Sequence, residues 1–415
     1  MRSRCAMLCA AALALPGAAQ ADETRLSADV STALGYSNNP FSLVGDDTGS
    51  AYAEFNVRPQ LQILTERSVF TINAGAQIQQ YFKHYSTSDS YQAGLHYAGH
   101  PREYLTTHLN AAFLSSIVGS LNNFAGTVVD PAQSSGTGEG TTTGTGTVGT
   151  TPVTTEPLNS GTDVALFGTR ARQRTINVGG DATEALSARD QLTGSLFFLD
   201  SRYSQSSSFG SLDNYDGYGG SLGYARQLSA STQVGVQGSA ARYIYEGGGT
   251  DSNVFSLQAT LSTKFNAHWS LNGAAGASLV DRTGQGTRVS FSGNLALCRT
   301  GARVTACLTA RRAVLPTGVL GTQTETDAGA TYRYRLSEHG TLAFSANYTK
   351  NGTPFGIETN GNEYALGTVS YERQLRRRLR LISTVRYREI FGSGLDRASD
   401  YGGQIGLAMR LGDIR

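Results

Sequence analysis

Seven arginines lie within the sixteen residues 373–388, RQLRRRLRLISTVRYR. Guanidinium groups at this density are typical of sites that contact phosphate, so a nucleic-acid-binding arm is one reading of the stretch. The spacing argues against it, because Arg380, Arg386 and Arg388 share one face of a strand and apolar residues occupy the alternate positions. A helix would scatter these arginines around its circumference. We therefore predict a strand whose apolar face meets lipid and whose arginines point inward.

Two other motifs have the spacing of functional sites but the wrong surroundings. GGSLG at 219–223 matches the nucleophile elbow of hydrolases, which requires a strand, a sharp turn and a helix, whereas here it lies inside an alternating strand. GTGTVG at 144–149 matches a dinucleotide fingerprint, but no strand precedes it and no helix follows. The six histidines show no metal-ligand spacing. We predict that the protein is not an enzyme and has no cofactor or metal; catalytic residues spread over several strands are the alternative.

The N-terminus has the order of a secretory signal peptide, with basic MRSR, apolar CAMLCAAALALPGAA and the small-x-small sequence AQA. We predict that residues 1–21 are cleaved and that the mature chain begins at Asp22. The apolar run is shorter than the ~20 residues of a spanning helix, which disfavours a membrane anchor. Cleavage removes Arg2 and Arg4 from 34 basic residues, against 32 acidic ones, so no net charge points to nucleic acid.

Beyond this segment polar and apolar residues alternate with a period of two, which indicates β-strands. EFNVRPQLQI at 54–63 and TLAFSANYT at 341–349 are examples. Most such segments reach about ten residues, the length that a tilted strand needs to cross a bilayer. A soluble β-sandwich, the alternative, would have shorter strands. We predict an all-β fold: a transmembrane antiparallel up-and-down β-barrel over 22–415.

We count about eighteen strands, joined alternately by short connectors and by longer loops rich in Gly, Ser, Asn and Asp. The predicted starts lie near Arg25, Ala51, Val69, Tyr91, Tyr104, Arg172, Asp190, Tyr215, Thr232, Asn253, His268, Thr287, Val304, Thr324, Thr341, Asn362, Arg378 and Tyr401. This layout predicts short periplasmic turns, long extracellular loops and a location in the outer membrane of a Gram-negative bacterium. The longest loop is the Thr/Gly-rich segment 121–168, which either extends outside the cell or folds into the lumen and constricts it.

Strand parity places a set of arginines on the inward face near the C-terminus. They are Arg288, Arg311, Arg333, Arg335, Arg380, Arg386, Arg388 and Arg410, with Glu325 and Asp327 as the local acids. A charged, confined channel concentrates ions of opposite sign, so one hypothesis is a path for anionic or polyhydroxylated solutes. The other is that arginines and acids pair across the lumen to hold the wall together.

Two further features concern the assembly of the barrel. Cys298 and Cys307 flank a turn and fall on the inward face, so we predict a disulfide near the periplasmic mouth, with two reduced cysteines as the alternative. In QIGLAMRL near the C-terminus, a polar residue, a glycine and two apolar residues have the spacing of the signal by which outer-membrane barrels are recognised for assembly. These residues are Gln404, Gly406, Met409 and Leu411.

STALGYSNNPF at 31–41, where the first strand enters an Asn-rich loop, and the repeated turns YARQL, YRYRL and YERQL resemble a family of outer-membrane β-barrel porins associated with exopolysaccharide biosynthesis and export gene clusters. The likeness extends over the mature chain and is one of architecture and turn style. It implies a barrel that helps polysaccharide cross the outer membrane. The large Thr/Gly loop and the ending GDIR depart from the family's usual pattern.

The combined reading is an outer-membrane channel or accessory protein for exopolysaccharide export. One alternative is a general or anion-preferring diffusion porin, and another is a structural or adhesive surface barrel. The partners expected are outer-membrane lipid, the barrel assembly machinery, exopolysaccharide and periplasmic export components, and no nucleic acid.

Overall fold

The computed structural model describes residues 23–42, 48–118, 170–204, 212–319, 321–352, 363–391 and 399–412, and these ranges consist of β-strands and their connections. The strands are β1 (Glu23–Ser37), β2 (Ser50–Leu64), β3 (Ser68–Tyr81), β4 (Ser88–Arg102), β5 (Leu105–Ile117), β6 (Arg172–Ala185), β7 (Asp190–Tyr203), β8 (Asn214–Ser229), β9 (Thr232–Glu246), β10 (Ser252–Lys264), β11 (Trp269–Arg282), β12 (Gly286–Thr300), β13 (Val304–Pro316), β14 (Thr322–Arg335), β15 (Gly340–Gly352), β16 (Glu363–Arg376), β17 (Leu379–Phe391) and β18 (Asp400–Gly412). In these ranges no helix is long and apolar enough to cross a membrane.

The eighteen strands form one closed antiparallel barrel. Each strand pairs with its neighbours in the chain, and β1 closes the ring by pairing with β18 from Ser27 opposite Gly412 to Ser37 opposite Gly402. Closure leaves no free sheet edge that could pair with another chain. The predicted up-and-down barrel is therefore confirmed, and each predicted strand start lies within three residues of the observed one.

The alternation of residue types decides which face of each strand points outward. Leu34, Leu196 and Val289 are 62%, 75% and 71% exposed on the outer surface, and they belong to a large set of exposed apolar side chains. The intervening residues, most of them polar, point into the lumen, and inward apolar and aromatic side chains cluster at one end of the barrel. Because a slip of one residue would exchange the two faces of a strand, this pattern fixes the register around the ring.

The two ends of the barrel differ in the length of their connections. At the end where β1 begins and β18 ends, the strands are joined by turns such as 65–67 and 230–231. At the opposite end the connections are mostly longer, as at 38–49 and 118–171, although only 283–285 joins β11 to β12. We call these the short-turn end and the long-loop end.

Candidate functional site: the arginine-bearing lumen wall

The strand register places all eight predicted arginines on the inward face of β12–β18. The inward carboxylates on the same strands are Glu325, Asp327, Glu372 and Asp400. β17 alone carries Arg380, Arg386 and Arg388, which spread over about 26 Å of strand at ~3.3 Å per residue. This wall of the lumen therefore carries positive charge from near one end of the barrel to the other.

Two of the arginines form ion pairs with carboxylates on other strands, one at mid-wall and one toward the short-turn end. Arg311 contacts both Glu325 and Asp327 at 2.7 Å, so both predicted lumen acids are engaged by the same guanidinium. Arg380 lies 2.9 Å from Glu372 and 3.7 Å from Asp29 on β1. These two arginines therefore fit the hypothesis that arginines and acids pair to hold the wall of the lumen together.

A third arginine is part of a buried clamp at the long-loop end. The Nε atom of Arg388 lies 2.9 Å from the carboxylate of Asp400, and the two side chains are 1% and 0% exposed. Asp400 also accepts hydrogen bonds from the Ser37 hydroxyl at 2.5 Å and from the backbone N–H of Asn39 at 3.1 Å. Arg388 donates to the Asn39 carbonyl at 2.8 Å. The pair thus joins β17 and β18 to the connection that follows β1.

Arg386 lies beside this clamp with less compensation. Its Nε atom is 3.8 Å from Asp400, whose charge is already engaged by Arg388 at a shorter distance. Its Nη1 atom donates a hydrogen bond to the Tyr52 hydroxyl at 3.5 Å. The buried Nε and Nη2 atoms have no hydrogen-bond partner among the described residues. A buried guanidinium with unpaired donors favours a neighbouring anion, because leaving such donors unpaired is costly.

Two inward arginines near the short-turn end have no carboxylate partner in the ranges that the structure describes. Arg335 ends β14, and Arg410 lies opposite Asp29 in the pairing of β18 with β1. Neither forms an ion pair within 4.0 Å with a described residue. Both side chains are exposed, so they present uncompensated positive charge to the lumen.

Inward aromatic side chains are packed together at the long-loop end. Phe41 and Tyr81 have ring centroids 5.6 Å apart, and Tyr52 lies 5.6 Å from Tyr81. A second buried cluster includes Tyr215 and Tyr245, 5.5 Å apart, and draws its members from strands between β7 and β17 and from Val118, which follows β5. We call these two groups the aromatic collar. They fill part of the lumen at the level of the buried clamp.

The two cysteines and the C-terminal signal are placed as follows. Cys298 and Cys307 lie opposite each other on β12 and β13, face inward near the short-turn end, and are joined by a disulfide. On β18, Gln404 and Gly406 face inward, whereas Met409 and Leu411 face outward. Gln404 accepts a hydrogen bond from the Tyr52 hydroxyl at 2.9 Å. The role of this strand in recognition for assembly stays a prediction.

On the opposite wall, the structure brings together inward residues that sequence reasoning missed. His108 on β5 lies 2.8 Å from Asp181 on β6, and its ring stacks 6.3 Å from that of His96 on β4. Asp181 is separated from His108 by 73 residues in the sequence, so only the strand register reveals the group. The described ranges contain no group of three or more His, Cys, Asp or Glu residues that could hold a metal ion.

Two expectations lie outside the described residues. The predicted signal peptide, 1–21, precedes the first described residue, Glu23. The Thr/Gly-rich loop 121–168 falls within the range between Val118 and Arg170 that the structure does not describe. Cleavage of the first and any constriction by the second stay predictions.

Comparisons with known proteins return structural likeness alone. No protein-family model matches the chain, and no curated protein matches its sequence. Among solved structures, OccK2 (OpdF) of Pseudomonas aeruginosa, in complex with glucuronate, is 9% identical with a TM-score of 0.45, covering 94% of this chain and 99% of that one. OpdQ of the same organism is 7% identical with a TM-score of 0.42, covering 94% of this chain and 99% of that one. The siderophore receptor PirA of Pseudomonas aeruginosa is 12% identical with a TM-score of 0.43, covering 93% of this chain and 80% of that one. Likeness at this level carries no argument about function.

Proposed function

We propose that this protein is an outer-membrane porin that lets small hydrophilic solutes diffuse across the membrane and prefers anions. The apolar outer face of the closed barrel suits a lipid environment, and the polar inner face suits water. The observation that carries the preference for anions is the imbalance on the inward face of β12–β18, where eight arginines meet four carboxylates.

The preference follows from confinement of charge. Low-dielectric walls focus the field of fixed charges into the lumen, which raises the local concentration of counter-ions. Arg311 and Arg388 are largely neutralised by close carboxylates. A passing solute therefore meets the charges of Arg335 and Arg410 near the short-turn end, and that of the incompletely paired Arg386 beside the aromatic collar.

Small solutes suit this lumen better than a polysaccharide polymer does. Side chains of the aromatic collar occupy part of the lumen at the long-loop end, which favours solutes of limited cross-section. Export of exopolysaccharide stays a prediction that rests on the family resemblance. A structural surface barrel is the reading that a closed lumen would support.

The test is the conductance of the refolded barrel in a planar bilayer, with the reversal potential measured under a KCl gradient. We expect stable conductance with a chloride-favouring reversal potential. The double variant Arg335→Ser/Arg410→Ser should shift this potential toward zero without abolishing conductance. Arg312→Ser is the matched control, because Arg312 faces outward on β13 and bonds to Thr326.

Three results would count against the proposal. A reversal potential of the wild type that favours cations would contradict the role proposed for the inward arginines. An equal shift in Arg312→Ser would show that surface charge, and not the lumen, sets the potential. A folded barrel without conductance would favour a structural role.

A further inference from the structure

The outward face of the barrel contains an apolar groove with a volume of about 770 Å³. The outward side chains that line it come from β11 to β18. They extend from Trp269 and Leu308 through Ala330, Ala346 and Gly367 to Tyr387. None of the outward side chains that line the groove carries a formal charge, and the surface that they expose there is almost entirely apolar.

The shape of the groove follows from small residues along one row of paired strands. Ala330, Ala346 and Gly367 are successive outward partners on β14, β15 and β16. The adjacent row carries Tyr332 and Phe344, whose rings lie 6.1 Å apart. The small residues therefore form a floor, and the neighbouring rings form a raised wall beside it.

The groove runs obliquely from the short-turn end toward the long-loop end. It begins at Trp269, the first residue of β11, and reaches Tyr387 on β17. Six strand spacings of ~4.8 Å give a length of about 29 Å. With strands tilted by ~40°, this length rises about 19 Å, somewhat more than one leaflet of a ~30 Å hydrocarbon core.

A cationic group lies at the short-turn end of the groove. The Cζ atom of Arg299 is 5.9 Å from the centroid of the Trp269 ring. Arg299 faces outward, is exposed, and has no carboxylate partner among the described residues. Arg303 lies in the next turn and is also exposed. Tryptophan is enriched where a membrane protein meets the headgroup region, and arginine there attracts lipid phosphate.

We propose that this groove is a binding site for one anionic glycerophospholipid of the leaflet that faces the short turns. The acyl chain lies along Ala330, Ala346 and Gly367, and the phosphate group contacts Arg299 beside Trp269. This site is distinct from the lumen, so it requires the membrane location of the barrel but not its conductance.

The test uses the refolded protein in detergent, mixed with phosphatidylglycerol or with phosphatidylcholine, and native mass spectrometry to count retained lipids. We expect one retained phosphatidylglycerol, and about fivefold weaker retention of phosphatidylcholine, because one arginine near a membrane surface contributes about that factor. Gly367→Leu should abolish retention of both lipids. A Cβ atom at Gly367 would meet only the Tyr387 carbonyl at 4.0 Å, so this variant fills the groove without a backbone clash.

Two controls separate the site from general effects. Ala259→Leu adds bulk at an outward position of β10 that does not line the groove. Arg102→Gln removes an arginine that stacks on Tyr104 at the same 5.9 Å, at the short-turn end of β4. Both controls should retain phosphatidylglycerol as the wild type does. Arg299→Gln should reduce the ratio of retained phosphatidylglycerol to retained phosphatidylcholine to about one, since the charge contribution of the arginine is lost.

Equal retention in Gly367→Leu and the wild type would overturn the proposal, as would the absence of retained lipid in the wild type. An unchanged preference in Arg299→Gln would refute the placement of the phosphate. Ala346→Phe fills the same floor from β15 and serves as the second groove variant if Gly367→Leu does not fold.

Discussion

The buried clamp at the long-loop end predicts a large loss of stability when Asp400 is replaced by Asn. The substitution keeps the size of the side chain but removes the negative charge that lies 2.9 Å from the Nε atom of Arg388, whose side chain is 1% exposed. Arg386 loses the same carboxylate at 3.8 Å. Removing one partner of a buried ion pair typically costs about 3–5 kcal/mol. We expect a loss of that size in the free energy of unfolding, measured by urea titration of the barrel refolded in lipid vesicles.

The control is Glu372→Gln, which breaks the pair with Arg380. Those side chains are 43% and 38% exposed, so solvent screening limits the expected loss to about 0–1 kcal/mol. A double variant, Asp400→Leu with Arg388→Met, should regain part of the loss, because apolar residues of similar volume often replace a buried pair at little cost, whereas Arg386 and the donors of Ser37 and Asn39 still lack the carboxylate. A loss in Asp400→Asn no larger than in Glu372→Gln would refute the assignment of a buried clamp.

Three further changes test other parts of the barrel by the same unfolding titration. Replacing Cys298 and Cys307 by Ser should lower stability by about 2–3 kcal/mol, because the disulfide closes a loop of nine-residue separation, and reductant should leave the variant unaffected. Gly35→Val should cost about 1–3 kcal/mol, since a Cβ there would lie 2.5 Å from the Tyr52 ring; an unchanged midpoint would contradict this packing. Val385→Arg, on the outward face, should cost about 2–4 kcal/mol in a bilayer, and a neutral effect would place β17 differently.

The strand pattern was readable from the sequence because one physical requirement acts at every second position. Leu379, Leu381 and Val385 must contact an apolar environment, so the intervening Arg380 and Arg386 point to the other face. The strand count and the strand starts follow from the same alternation. Tertiary information was not needed, because each strand pairs with its neighbours in the chain.

The partners of the lumen arginines could not be read in this way. Asp400 was not recognised as the partner of Arg388, because their pairing depends on the register between β17 and β18, which the alternation within each strand does not specify. Glu372 and Asp29 were missed as partners of Arg380 for the same reason. The alternation predicts which face of a strand a charged residue occupies. Ion pairing also depends on the height of each residue along the barrel axis, which the tilt of the strands determines.

The buried clamp also has a consequence for the order in which the barrel assembles. Asp400 contacts Ser37 and Asn39 across sequence separations of 363 and 361 residues, at the seam where β18 meets β1. These contacts form only when the last strand reaches the first, after the intervening strands are in place, because closing so long a chain segment carries the largest entropy cost. The clamp therefore stabilises the closed barrel at the seam between β18 and β1. It leaves early intermediates unaffected and slows reopening of the seam.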